Sequence, residues 1–274
     1  MATIRLSTEK PMDQSCELLL ALPFDTPEQR FKGFEVEEAA IVSVVTAQGR
    51  GQQALRLAAR AGARPQVRFE VEEAPGDFPE WIFAGDRGRH ETPSDDLVAL
   101  MAETAPQRLA PAERVTRIVR HVESRFAYGV RDVGLGDDSD EMGALWCDTH
   151  LGTCVDTHSY AVAAMRAAGV EAAYVSGVFF KEGTVQSQPG HCWFVVRAED
   201  APHHWDISHH LKYDLGPVRP LFNPKPGFRF ALAAGRDLVF EGAEGPVTFG
   251  RLSGFHILAA GAAKLSTVAQ VSNR

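Results

Sequence analysis

A cysteine at position 154 opens what reads as a helix, and a histidine and an aspartate follow it on later segments. The stretch is Gly152-Thr153-Cys154-Val155-Asp156, running into an alanine-rich segment, 159–168, that Gly169 closes. A thiol at a helix N-terminus sits at the positive end of the helix dipole, which favours the nucleophilic thiolate. The ordinary thiol pKa is ~8.5, so activation means moving it toward neutrality. His191, in Gly190-His191-Cys192-Trp193, could supply the base. Asp206, in His204-Trp205-Asp206-Ile207, could hold the other imidazole nitrogen and set its tautomer. A set of this kind attacks a carbonyl carbon and passes through a thioester. Each residue also has an ordinary alternative. Cys154 could be a small buried hydrophobe, His191 a half-buried strand residue, and Asp206 a strand-end carboxylate capping backbone amides.

Attack on a carbonyl places charge on its oxygen, so donors must face that oxygen. The Cys154 backbone N–H at the helix start is the first candidate. Trp146 and His150, in the approach to the helix, are candidates for a second donor, the indole N–H being donor-only. Thr153 and Trp193, close in sequence to Cys154 and His191, complete the oxyanion and substrate candidates. A different reading groups Cys147, His150, Cys154 and His158 as a zinc site. That spacing matches no common finger, leaves His191 and Asp206 without a purpose, and would silence the thiol. The expectation is therefore no metal and no cofactor. The pairs His203-His204 and His209-His210 read as polar groups of loops or of a pocket.

Positioning these residues requires a helix for the thiol and rigid neighbouring strands for the other two. Residues 172–180, 192–197 and 203–207 read as strands of an antiparallel sheet, with a short turn at 199–202 bringing Gly190-His191 near Trp205-Asp206. Upstream, Ser94 caps a helix at 97–103, and Pro111 starts an amphipathic helix carrying Val115, Ile118, Val119, Val122 and Phe126 on one face. Residues 134–140 are rich in glycine and aspartate but lack the order of a calcium loop, hence a solvated loop. The first ninety residues differ. Segments 16–22, 34–47, 53–61 and 67–71 read as strands of a small antiparallel β-sandwich-like domain. Segments 75–77 and 85–93 are loops between domains, 215–226 is irregular, and 228–232, 237–241 and 247–258 read as further strands.

Bulk properties narrow the class. The 274 residues are 45% hydrophobic and 23% charged, with net charge -8. There is no basic block to bind a nucleic-acid backbone and no apolar run long enough to span a bilayer. Four cysteines are too few for a disulfide scaffold at this length. The reading is a cytoplasmic protein with reduced thiols, no nucleic-acid partner and no membrane.

Gly-x-Cys opening a helix, then a strand with Gly-His-x-Trp, then Trp-Asp, resembles the transglutaminase-like superfamily, in particular its bacterial cysteine peptidase and amidase branch. The likeness is clearest over 111–208 and includes small residues after the cysteine, Ser159-Tyr160-Ala161-Val162-Ala163-Ala164. It implies an α+β, papain-like core at 93–274, with a C-terminal β extension, behind the sandwich-like domain at 1–92. By the same resemblance Cys154 is nucleophile, His191 general base and acid, and Asp206 orienter. It implies hydrolysis of a peptide or other amide, with acyl transfer to an amine, or binding without catalysis, as alternatives. Two departures bear on the substrate. The family's Asp-Pro-Thr is Asp206-Ile207-Ser208 here, and Cys192 stands where alanine is usual.

Overall fold

The computed structural model describes residues 1–84, 88–200 and 203–272. The loop from Gly85 and the turn ending at Pro202 therefore lie partly outside the described residues. Among the described residues there are four α-helices, α1 (Asp95–Thr104), α2 (Pro111–Arg125), α3 (Cys154–Ala167) and α4 (Ile207–Tyr213). They accompany several sheets, almost wholly antiparallel, in a mixed α+β architecture.

Among the described residues two facing sheets combine six strands from residues 2–72 with three from residues 186–272. One orders Gln186–Ser187, Thr267–Ser272, Ala2–Thr8, Gln66–Glu72 and Arg30–Glu37; the other orders His256–Ile257, Cys16–Ala21, Gln53–Ala59 and Ala40–Thr46. Alternation explains their shared core. In Ala2–Thr8 the even-numbered residues face inward while Arg5 is exposed, and Ile4, Leu6, Leu18, Leu20, Leu55, Leu57 and Phe69 are fully buried together. The expected single run at 34–47 is two strands, because Glu38 takes a left-handed turn (φ 56°) between them. Likewise 247–258 is split into Gly245–Phe249 and His256–Ile257. The last strand pairs with the first, so the chain's end completes the sheet its beginning starts.

The sheet that carries the site orders His204–Trp205, His191–Arg197, Glu171–Lys181 and Gly227–Ala234. Its two faces alternate. Tyr174, Cys192, Phe194 and Val196 pack toward the helices, while Val175, Trp193, Val195 and Ala231 pack against Phe24, Ile82 and Phe83. Helix α3 is buried along nearly its whole length, from Asp156 to Met165, because the sheet and the other helices surround it. Its alanines permit that close approach. Gly177 does the same inside the sheet, since a Cβ there would lie 1.9 Å from the Phe230 carbonyl oxygen.

The segment after Trp205 departs from expectation. Only His204–Trp205 is strand; Asp206 is the N-cap of α4, its carboxylate accepting from the His209 N–H at 2.9 Å. An aspartate followed by Ile-Ser-His-His gives the backbone a cap and a turn instead of a ladder.

Candidate active site

Cys154 is the first helical residue of α3, and Thr153 is its N-cap. The Thr153 hydroxyl accepts from Val155 N at 3.3 Å and donates to Asp156 at 3.0 Å, while Asp156 accepts from Thr153 N at 2.9 Å. The other Asp156 oxygen accepts from Leu135 N at 2.8 Å, tying the acidic loop to the helix start. Among the described residues no protein acceptor takes the Cys154 N–H, one of the donors a helix start leaves open.

His191 begins its strand directly after Gly190, whose N–H donates to the Gly177 carbonyl at 2.9 Å. The Gly190 carbonyl lies 3.8 Å from the Cys154 sulfur, which it accepts from when the sulfur is a thiol. His191 Nε2 is 2.9 Å from Asp206 Oδ2, leaving Nδ1 as the nitrogen for the thiol. The three side chains thus come together from a helix start, a strand start and a helix N-cap.

Their charges are mutually supporting. The Cys154 thiol is held well below the ordinary thiol range by a hydrogen bond from the Cys192 thiol first, against the cost of burial, with the His191 hydrogen bond and charge adding to it. Cys192 is pushed well above that range, by burial first and then by its bond to Cys154, so it stays a neutral donor. Burial would lower His191, but the Asp206 charge and hydrogen bond outweigh it and raise the imidazole. Both shifts favour a thiolate beside an imidazolium. Cys192→Ala is expected to move the pH of half-maximal iodoacetamide labelling at Cys154 upward, because it removes the largest stabiliser of the thiolate; an unchanged midpoint would deny Cys192 that role.

Asp206 is fully buried and densely served. Burial alone would raise it, yet the Arg229 guanidinium first and His191 next hold it well below the usual carboxylate range. Arg229 Nη2 donates to the same Oδ2 that faces His191, and the Ser208 hydroxyl donates to Oδ1 at 2.8 Å. His209 lies flat against His191, with ring centres 4.1 Å apart and planes 12° apart, its Nδ1 3.1 Å from Asp206. Burial pushes His209 down to about 3, so it is a neutral ring braced against a charged one. Beneath them His158 is also neutral, lowered to about 4 by burial, and accepts from Ser208 N at 3.3 Å.

Residues 98–205 match the model of the transglutaminase-like superfamily. Over that segment the chain is similar to the transglutaminase-like superfamily. A Cytophaga hutchinsonii protein, described as a putative cysteine protease, has a similar structure. The TM-score is 0.52 at 12% identity, over 99% of this chain and 97% of that one, which is a likeness of fold. A Parabacteroides distasonis protein described as a putative protease is more distant. Its TM-score is 0.30 at 8% identity, over 71% of this chain and 41% of that one. No curated protein matches the sequence significantly. No helix among the described residues is long and apolar enough to cross a membrane.

Among the described residues the other sequence candidates make no side-chain hydrogen bond to the three, though Trp193 stacks on His191 with ring centres 5.9 Å apart. Trp146 is half exposed on the loop before α3, and His150 sits in the short strand His150–Gly152. No hydrogen bond among the described residues joins either to Cys154, His191 or Asp206. Thr153 is fastened to Asp156 as the cap, and Trp193 is buried behind His191 with Arg229 over its ring at 5.2 Å. The proposed zinc ligands Cys147, His150, Cys154 and His158 are not gathered. The one set of potential ligands brought within 4.8 Å among the described residues is His191, Asp206 and His209. Arg229 already places a cation on that carboxylate, which disfavours a metal ion there. Arg229 escaped the sequence reading, although a lone arginine in Phe228-Arg229-Phe230, within an apolar strand, was the available signal.

Proposed function

We propose that this protein is a cysteine hydrolase that cleaves a peptide or other amide bond through a thioester on Cys154. The observation that carries this reading is the Cys154 thiol at the start of α3 beside a His191 whose Nε2 is held at 2.9 Å by Asp206. The Cys154 thiolate attacks the carbonyl carbon, and its backbone N–H faces the oxygen as negative charge develops. The His191 imidazolium gives its proton to the leaving amine, so the C–N bond breaks and a thioester remains. The neutral imidazole then takes a proton from water, which attacks the thioester, releases the acid and restores the thiolate–imidazolium pair. Asp206 keeps Nε2 protonated and the ring oriented throughout.

The test uses a panel of peptide amides with mass detection of an acyl adduct on Cys154, first in the native protein and then in His191→Ala. A trapped thioester with free acid as final product is the expected result. An adduct on another residue, or none with any amide or activated ester, would overturn it. Adding an amine separates hydrolysis from transfer, since amide product exceeding acid would assign the second step to aminolysis.

A further inference from the structure

Beside Cys154 the chain places two cations that the chemistry above does not use. Arg251 Nη1 donates to the Gly190 carbonyl at 2.9 Å, the same oxygen that lies 3.8 Å from the Cys154 sulfur. Lys264 Nζ donates to the Pro189 carbonyl at 2.9 Å. The bare face of Gly190 lies between them; a Cβ there would be 3.5 Å from Lys264 Nζ and 3.8 Å from Arg251 Nη2. Guanidinium and ammonium therefore converge on the residue that precedes His191. Both come from the C-terminal segment, outside the matched core of 98–205.

Neither cation has a carboxylate partner within 4 Å among the described residues. The groups acting on Arg251 are Tyr174, Cys192 and Cys154, and those on Lys264 are Arg251 and Cys154. Burial first, and then Arg251, lower Lys264 to about 8, so the pair opposes itself. Like charges without a counterion are costly in a partly desolvated place. The Cys154 thiolate compensates one of them in the free enzyme. Once the sulfur is acylated it is neutral, and both cations then lack a partner unless the acyl group brings one.

We propose that Arg251 and Lys264 form an anion subsite beside Cys154 that receives a carboxylate carried by the acyl donor. The inference rests on Cys154 being the reactive thiol. It selects acyl groups with an acid close to the scissile carbonyl, such as an acidic amino-acid residue or a dicarboxylic half-amide.

Iodoacetate and iodoacetamide test it without turnover. The same thiolate attacks each, displacing iodide and forming a C–S bond, so the ratio of their rates at one thiol cancels the thiolate fraction. Exposed Cys147 in the same protein is the internal reference. With rates read by peptide mass, the iodoacetate-to-iodoacetamide ratio at Cys154 is expected to exceed that at Cys147 by roughly tenfold. Lys264→Gln should lower the ratio severalfold, Lys264→Arg should keep it, and Arg251→Gln should lower it further. Equal ratios at Cys154 and Cys147 would overturn the subsite while leaving the thiol assignment standing. Equal slowing of both reagents in the variants would do the same, assigning the cations to the thiolate alone. Labelling of Cys147 but of Cys154 by neither reagent would overturn both readings.

Discussion

Cys154→Ala is expected to lower turnover by roughly 10⁴-fold or more while leaving the fold intact. The loss is large because every covalent step proposed here passes through that sulfur. The fold should tolerate the change because alanine is at least as good a helix former as cysteine and the cap is made by Thr153 and Asp156. Cys154→Ser should fare nearly as badly, since a hydroxyl in the same place does not ionise near neutral pH. Turnover of a responsive amide, read beside the urea midpoint, checks both halves. Activity within tenfold of the native protein would remove Cys154 as nucleophile. The native pH profile follows from the directions of the shifts. The reactive ion pair needs Cys154 deprotonated, which happens below the ordinary thiol range, and His191 protonated, which persists above the ordinary imidazole range. Activity should rise through the first value and fall through the second. Asp206→Asn removes the main support of the imidazolium, so its alkaline limb should move to lower pH.

What the sequence discloses of this arrangement depends on how local the cause is. Helix α3 is legible because a cap, a small-residue run and a closing glycine are all within one segment, Thr153 to Gly169. The strand Gln53–Ala59 is legible despite its alanines, because the turn before it demands a hairpin partner for Ala40–Thr46, with which it pairs; the alternating strand after it, Gln66–Glu72, joins the other sheet. The break at Glu38 is not, since a non-glycine residue adopting positive φ leaves no compositional mark. Helix α4 is equally silent. Seven residues are too few to show a period, and by its neighbours the cap residue Asp206 reads as the end of a strand. The order Cys154, His191, Asp206 could be read from residue types, but the support around Asp206 could not. Arg229 reaches it from a strand 23 residues downstream, and Arg251 reaches Gly190 from 61 residues away. Such contacts depend on strand order, which local pattern does not encode.

Arg229→Met should be the most destabilising single change near the site, by about 3–5 kcal/mol, because it strands a buried carboxylate. Methionine keeps much of the side-chain volume but supplies no charge. Asp206 would then sit fully buried with His191 and the neutral His209 and His158 around it, and its pKa would climb. The sign of the pH effect follows from linkage. In the native protein Asp206 is depressed when folded, so its contribution is present above the unfolded value of ~3.9 and is lost as pH falls through the folded value. In Arg229→Met the depression is replaced by a rise from burial, so stability at neutral pH drops most and the gap from native narrows as pH falls through the raised value. Urea midpoints at neutral pH and near pH 4 read this directly. The double variant Arg229→Met/Asp206→Asn separates charge from packing. It removes the stranded anion and should recover part of the stability, yet it leaves His191 without its carboxylate and should not recover activity. If Arg229→Met alone stays within about 1 kcal/mol of native at neutral pH, Asp206 does not need the guanidinium to remain ionised. His191 would then be held by a carboxylate that its other neighbours suffice to keep charged.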